Sequence, residues 1–113
     1  MNGLTVVHFG SVRFAGGSYQ KASGSGNWTV QPIAGFGQAI GPPLGQVRIQ
    51  FVVALSQPYA VLLTPWRTEN TPMLGANYGD TDENGFVVHL FEPVASRTLQ
   101  NGNFAFAVLV GEL

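Results

Sequence analysis

The stretch FAFAVLV, residues 104–110, places a large apolar side chain at every second position, with alanine at two of the positions between. A period of two residues is typical of a β-strand that buries one face, whereas an amphipathic helix repeats every ~3.6 residues. The stretches VRIQFVVAL, residues 47–55, and GFVVHLF, residues 85–91, follow the same alternation. These stretches therefore predict strands that share one core. The side chains expected to face that core are Val47, Ile49, Phe51, Val53, Leu55, Phe86, Val88, Leu90, Phe104, Phe106, Val108 and Val110.

Glycine and proline interrupt the rest of the chain and exclude long helices. The 113 residues include 15 Gly and 7 Pro, spread along the whole length, and both are unfavourable inside a helix. Asn84-Gly85 and Asn101-Gly102 are strong signals for β-hairpins. About seven short strands separated by such turns predict a single all-β domain, an antiparallel β-sandwich. The further strand candidates are Leu4–Phe9, Val12–Phe14, Trp28–Ile33, Tyr59–Thr64 and Met73–Tyr78.

The chain is poor in charge. Asp, Glu, Lys and Arg make up 10% of the residues, against roughly 25% in a typical soluble domain. Because a free domain of 12.0 kDa normally carries more charge, we expect copies of the chain or a larger assembly to cover part of its surface. The alternative is a surface that Ser, Thr, Asn, Gln and Gly keep soluble. The Gly/Ser-rich residues 16–26 have the composition of a flexible linker, and we expect a neighbouring subunit to hold them in place.

The few charges are segregated along the sequence. Four bases and no acid precede residue 68, which gives +4, and six acids and one base follow, which gives −5, for a net charge of −1. If this division persists in space, opposite ends of the molecule attract each other in a stacked or symmetric assembly. Interleaving of strands from the two parts would remove the effect.

Several classes of protein are excluded by simple features. A net charge of −1 and a pI near 6.0 provide no basic surface for nucleic acid. The absence of cysteine excludes disulfides, thiolate zinc sites and a cysteine nucleophile. The longest apolar run, residues 104–110, is too short to insert into a membrane. The opening residues MNGLTVVHF lack the cationic and apolar regions of a signal peptide.

The residues of the strand pattern also resemble a known family. VRIQFVVALSQPYAVLLTPWRTEN (47–70), NGFVVHLF (84–91) and NGNFAFAVLVGEL (101–113) are similar to the H-type lectin domain. The resemblance covers residues 10–113 and leaves 1–9 as an N-terminal strand or extension, which we expect to dock on a neighbouring protein. It implies a six-stranded antiparallel sandwich that assembles as a trimer. The positions that carry the resemblance are Gly10, Ser11, Trp28, Phe51, Pro58, Val61, Leu62, Gly85, Phe86, Phe104 and Phe106.

The sugar site of that family does not carry over with the fold. Lectin members bind N-acetylgalactosamine-type sugars between subunits, with a Trp-His pair after the Gly-Phe strand and a basic residue after the apolar strand. Here residues 90–93, LFEP, stand where the pair is expected, and Arg67 lies only near the basic position. The resemblance therefore implies the fold and the trimer rather than this sugar specificity.

Three residues remain candidates for ligand binding: Trp66, Arg67 and Tyr78. Aromatic rings stack on the apolar faces of sugars, and an arginine donates paired hydrogen bonds to hydroxyls or carboxylates. Trp66 and Arg67 follow a predicted strand and so lie near a loop, where binding residues often occur. In the alternative interpretation, Trp66 packs between subunits and Arg67 pairs with Glu69 or with an acid across the interface. The other aromatic residues weighed for this role are Tyr19, Trp28 and Tyr59.

A candidate calcium loop begins at Asp80. Asp80, Asp82 and Asn84, with Gly85, match the first half of the pattern D-x-D-x-N-G. The closing glutamate of such a loop is missing, because position twelve holds Phe91. The alternative is a polar hairpin turn without metal, and we expect no other cofactor.

The two histidines and the acids do not form a recognisable catalytic set. His8 and His89 are expected to lie in the core or at an interface, with a three-chain histidine site at a threefold axis as the alternative. Ser96, His89 and Asp82 can be written as a triad, but the chain has no G-x-S-x-G motif around a serine. The sequence therefore predicts a protein that is not an enzyme.

Together these features favour a structural and adhesive part of a virus particle. The module that this chain resembles also occurs in the receptor-binding tips and fibres of tailed bacteriophages. We expect a homotrimeric tail or head fibre protein or its tip, assembled in the host cytoplasm, that contacts other virion proteins and a host surface glycan. One alternative is a free-standing carbohydrate-binding lectin. Another is an architectural capsid decoration or collar protein without receptor binding.

Overall fold

The computed structural model describes residues 3–33, 45–67, 73–93 and 98–111. Within these ranges the chain forms strands and no helix, so none of the described segments is a helix that could cross a membrane. The predicted all-β class is confirmed. The eight strands are β1 (Leu4–Ala15), β2 (Ser18–Gly24), β3 (Trp28–Gln31), β4 (Gln46–Phe51), β5 (Tyr59–Trp66), β6 (Gly75–Asp82), β7 (Gly85–Phe91) and β8 (Asn103–Gly111).

The strands form two antiparallel sheets of four. One sheet has the order β2-β1-β8-β5 and is called the β8 sheet; the other has the order β3-β4-β7-β6 and is called the β7 sheet. Every neighbouring pair is antiparallel. The apolar faces of the two sheets meet in one core, as expected for a β-sandwich. The family resemblance implies six strands, whereas the described residues form eight.

The alternation read from the sequence places the core correctly in three strands. All of the predicted inward residues of β4, β7 and β8 are 7% exposed or less. These residues are Val47, Ile49, Phe51, Phe86, Val88, Leu90, Phe104, Phe106, Val108 and Val110.

Beyond Phe51 the prediction is wrong for Val53, whereas Leu55 is half-buried and packs against the core as predicted. Strand β4 ends at Phe51, and Val53, which was expected to face the core, is 72% exposed. The backbone N–H groups of Phe51 and Leu55 donate hydrogen bonds to the carbonyl oxygens of Asn84 and Glu83, both at 2.8 Å. The chain therefore bends around the β6–β7 turn and crosses to the other sheet, which breaks the period of two.

Trp28 connects the two sheets. It belongs to β3 of the β7 sheet, but its ring packs edge-on against Phe106 of the β8 sheet, with 4.7 Å between ring centroids. The indole N–H donates to the carbonyl oxygen of Phe9 at 3.1 Å, and the ammonium group of Lys21 lies 4.1 Å from the ring centroid. The indole also lies directly over Gly10, where a Cβ atom would overlap its Cζ2. Trp28 is therefore a core residue rather than a ligand-facing one.

The Gly/Ser-rich segment 16–26 is held by its own chain. Gly16 and Gly17 have φ values of 62° and 83°, and Ala15 pairs with Ser18. This is the two-residue hairpin that requires positive φ at both central positions. Strand β2 then pairs with β1, so that no neighbouring subunit is needed to order it.

Two other expectations concern strand boundaries. The expected boundary between an N-terminal extension, residues 1–9, and the domain falls inside β1, which pairs with β8 from Leu4 to Val12.

The hairpin predicted at Asn101-Gly102 is wrong, because β7 and β8 belong to different sheets. Instead, the side-chain oxygen of Asn101 accepts hydrogen bonds from the N–H of Gly45 at 2.8 Å and from the hydroxyl of Tyr19 at 3.1 Å.

We predict that Gly10→Ala destabilises the domain by about 1–3 kcal/mol, the usual cost of overpacking a core. The added methyl group overlaps the Trp28 ring and lies 2.7 Å from the Ser23 carbonyl oxygen, which is backbone and cannot rotate away. Gly26→Ala is the control, because a Cβ at that position meets no atom within 4 Å. Urea unfolding measures both variants, and equal midpoints would contradict this role for Gly10.

Candidate functional site

The outer face of the β8 sheet exposes several neighbouring apolar side chains. Strand register pairs Phe9 with Ala107 and Val6 with Leu109, and Leu62 with Ala107. Because Phe106 and Val108 point into the core, these neighbours point outward. Leu4 is 74% exposed, Val6 51%, Phe9 54% and Leu62 62%. We call this surface the apolar face; its residues are Leu4, Val6, Phe9, Ser11, Ala60, Leu62, Thr64, Ala105, Ala107 and Leu109.

The apolar face carries no charge. None of its residues as defined above is ionisable, and the first outward base beyond Ser11 on β1 is Arg13. Single exposed apolar side chains are common on soluble proteins, but a contiguous apolar area of this kind marks an interaction site. The low charge of the chain predicts that such a surface exists but does not locate it.

The outer face of the β7 sheet is polar by comparison. Its register aligns Gln46, His89 and Asn77 in one row and Gln31 with Arg48 in the next. The guanidinium group of Arg48 donates to the Gln50 side chain at 2.8 Å and forms an ion pair with Asp82 at 3.0 Å. The two faces of the sandwich, as far as the described residues form them, therefore differ in chemistry.

Trp66 and Arg67 lie at the end of β5, as the sequence predicted. Trp66 is half-buried, and its indole reaches across β8 to donate a hydrogen bond to the Ser11 hydroxyl at 3.0 Å. Arg67 is exposed, and its expected partner Glu69 lies outside the described residues. A groove of about 100 Å³ is lined by Pro65, Trp66, Arg67, Met73 and Leu74.

Tyr78 does not join Trp66 and Arg67 in one site. It lies in β6 of the other sheet, and its ring packs edge-on against Phe86 at 6.1 Å, with 38% of the residue exposed.

Tyr59 and Tyr19, the other two tyrosines considered for ligand binding, make contacts within the domain. The Tyr59 hydroxyl lies 2.8 Å from the Asp82 carbonyl oxygen and 2.7 Å from that of Gly85. Burial raises the pKa of Tyr19 to about 12, consistent with its place in the Asn101 network.

The candidate calcium loop has the geometry of a hairpin turn. Asp82 pairs with Gly85, so Glu83 and Asn84 form a two-residue turn. The Asp82 carboxylate accepts the N–H of Asn84 at 2.7 Å and binds the Arg48 guanidinium; these contacts lower its pKa. Asp80 lies at a break in the register with a φ of 47°. Among the described residues, no three acid or histidine side chains are grouped closely enough to hold a metal ion.

The structure describes two of the three residues that can be written as a triad, His89 and Asp82. His89 lines a shallow pocket with Asn77, Phe91 and Leu99 on the outer face of the β7 sheet. The Asp82 carboxylate is engaged by Arg48, and Ser96 lies outside the described residues.

His8 is buried between the sheets. It is 6% exposed, and its ring stacks on Phe51 with 4.7 Å between centroids and 13° between planes. Within the described part of the chain, its Nδ1 atom has no hydrogen-bond partner. Burial lowers the pKa of His8 below its ordinary value of 6.5, and the positive charge of Lys21 lowers it further. The core therefore favours the neutral ring.

Two further pockets lie at the ends of the sandwich. One, of about 390 Å³, is bordered by residues 55–59 and 81–83. The other, of about 370 Å³, lies between the sheets beside Phe14 and Tyr19. Neither contains a cluster of groups that identifies a reaction.

Comparison with protein families, with curated proteins and with solved structures finds no match to this chain.

We predict that the domain loses stability as the pH falls below about 6.5 because of His8. The unfolded chain binds the His8 proton with the higher pKa, so stability rises with pH through this window and falls on acidification. His8→Phe keeps an aromatic ring against Phe51 and should reduce the difference between urea midpoints measured at about pH 7.5 and about pH 5.5. His89→Gln is the control. An unchanged pH dependence in His8→Phe would show that His8 is not the cause.

Proposed function

We propose that this protein is a non-enzymatic structural and adhesive module of a bacteriophage particle, such as a tail or head fibre protein or its tip, and that it works as a homotrimer. The observation that carries the proposal is the uncharged apolar face, which a free domain with only 10% charged residues would leave in contact with water. The resemblance to the H-type lectin domain supports the trimer and the location in a virion.

Assembly buries the apolar face between subunits. Val6, Phe9 and Leu62 are each more than half exposed in the single chain. Burying apolar surface contributes about 25 cal/mol per Å², and no charged group has to be desolvated at the centre of this face. Alanine at positions 105 and 107 keeps the surface over β8 low, so that a neighbouring backbone can approach closely.

The adhesive role depends on the end of the sandwich where Trp66 and Arg67 lie. An indole ring beside an exposed guanidinium group suits a host surface glycan, whose rings and hydroxyls match those groups.

A specific observation favours a second candidate, an architectural protein without a receptor. The indole N–H of Trp66 is already hydrogen-bonded to Ser11, and the ring of Tyr78 already packs on Phe86.

We predict that Leu62→Asp abolishes the lateral association of three chains of 12.0 kDa each. The substitution places a charge at the centre of the apolar face, while the side chain is 62% exposed and makes little contribution to the monomer core. Asn77→Asp adds the same charge to an exposed position on the β7 sheet and should leave the mass unchanged. Sedimentation velocity measures both variants; an unchanged oligomer in Leu62→Asp would show that this face is not the interface.

We predict that Trp66→Ala lowers binding to host cells or to a glycan array by about tenfold or more, the effect of losing one stacked aromatic ring, and leaves the oligomer intact. Ser11→Ala is the matched control, because it removes the hydrogen bond to the indole and keeps the ring. If the unmodified oligomer itself binds neither cells nor glycans, the architectural candidate is the correct one.

A further inference from the structure

One end of the sandwich combines exposed valines with free acids. Val52 and Val53 are 64% and 72% exposed in the segment after β4. That segment is fixed to the β6–β7 turn, since the N–H of Leu55 donates to the Glu83 carbonyl oxygen at 2.8 Å. Glu83 and Asp80 are exposed there, and within the described residues the only ion pair is the one between Asp82 and Arg48. We call this the valine end.

The opposite end has the complementary chemistry. The groove lined by Pro65, Trp66, Met73 and Leu74 is apolar and has a volume of about 100 Å³. Met73 is 71% exposed, and the exposed Arg67 lies on the rim of the groove. We call this the groove end.

Strand β5 separates the two ends. Its first residue, Tyr59, contacts the β6–β7 turn through its hydroxyl, and its last residue, Trp66, lines the groove. Eight residues of extended chain span about 23 Å at a rise of about 3.3 Å per residue. A single molecule therefore cannot bring its valine end into its own groove, whereas a second copy can.

The other charged residues in the described part of the chain do not cancel this arrangement. Lys21 lies toward the valine end but on the far edge of the sandwich, where its ammonium group donates to the carbonyl oxygens of Ser25 and Trp28. Arg13 is exposed near the β1–β2 hairpin, on the same side as the groove end. Glu92, half-buried after β7, is the acid described at that end. Among the described residues, the exposed rims of the two ends therefore carry opposite charges, Glu83 at one and Arg67 at the other.

We propose that copies of this chain stack head to tail, with Val52 and Val53 of one copy in the Trp66–Met73 groove of the next and Glu83 facing Arg67 across the contact. The partner is a second copy because the same chain supplies both the apolar insert and the groove, with opposite charges beside them. A contact between two different surfaces of one molecule does not close on itself and generates a linear stack.

This stacking goes beyond the proposed trimer, since it uses the ends of the sandwich and leaves the apolar face free for lateral contacts. It also bears on adhesion. In a stack, the groove of every copy except the last is covered by the next copy, so Trp66 and Arg67 remain open at one terminus only. A fibre built in this way presents its ligand-binding residues at its tip.

The test uses two variants that each destroy one end. Val53→Asp places a charge at the valine end, and Arg67→Glu reverses the charge at the groove end. Both are made in the full chain with Leu62→Asp, so that lateral association does not obscure the masses. Neither variant alone can stack, because each lacks one of the two surfaces that a contact needs. In a mixture, the intact valine end of Arg67→Glu can enter the intact groove of Val53→Asp. The mixture should therefore form 1:1 pairs, which cannot grow because their two outer ends are the altered ones.

Sedimentation velocity and negative-stain electron microscopy provide the readouts. Leu62→Asp alone should form linear stacks at about 0.05 M salt that weaken by about tenfold at about 0.5 M salt, because ions screen the Glu83–Arg67 contact. Asn77→Asp in the same background should stack normally. Stacks that persist in Val53→Asp or Arg67→Glu, or a mixture that stays monomeric, would overturn the proposal. Lateral oligomers that survive Leu62→Asp would instead contradict the proposed trimer interface and leave the end-to-end test readable.

Discussion

Strand β8 imposes the constraint on which both the core and the apolar face depend. It pairs with β1 on one side and β5 on the other, so its backbone is fixed in the middle of a sheet. Since side chains alternate across a strand, burying Phe104, Phe106 and Val108 commits Ala105 and Ala107 to the outer face. Each paired neighbour must follow the same alternation. The core therefore cannot form without also presenting Phe9 and Leu62 to the outside.

Much of the core could be predicted from the sequence, because it depends on local periodicity. The inward residues of β4, β7 and β8 follow directly from alternation. The end of β4 could not be predicted, since Val52 and Val53 continue the apolar run, and only hydrogen bonds to the distant residues Glu83 and Asn84 stop the strand. Asn101-Gly102 failed as a hairpin signal for the same reason: the side chain of Asn101 binds Gly45 and Tyr19, which are far away in sequence.

The candidate surface was harder to predict than the core. Low charge indicates that some surface is covered, but its location depends on register. His8 points inward and Phe9 outward, so strict alternation along β1 would turn Val6 inward. The register shift between Val6 and His8 reverses this and places Val6 beside Leu109 on the outer face. A bulge of this kind leaves no clear signal in the sequence. Trp66 and Arg67, in contrast, were located correctly at a strand end by the Tyr59–Thr64 pattern.

We propose one physical account of these features, in which the neutral apolar face makes lateral contacts and the two ends, whose described exposed charges are opposite, make axial ones. The segregation of bases and acids along the sequence acquires a spatial meaning at Arg67 and Glu83, although Arg48 and Asp82 pair within the chain. The most direct test of the account is the mass of the unmodified protein at about micromolar concentration, measured by mass photometry or sedimentation. The account predicts stable multiples of 12.0 kDa, with three chains as the smallest unit. A stable single chain of 12.0 kDa under those conditions would contradict it.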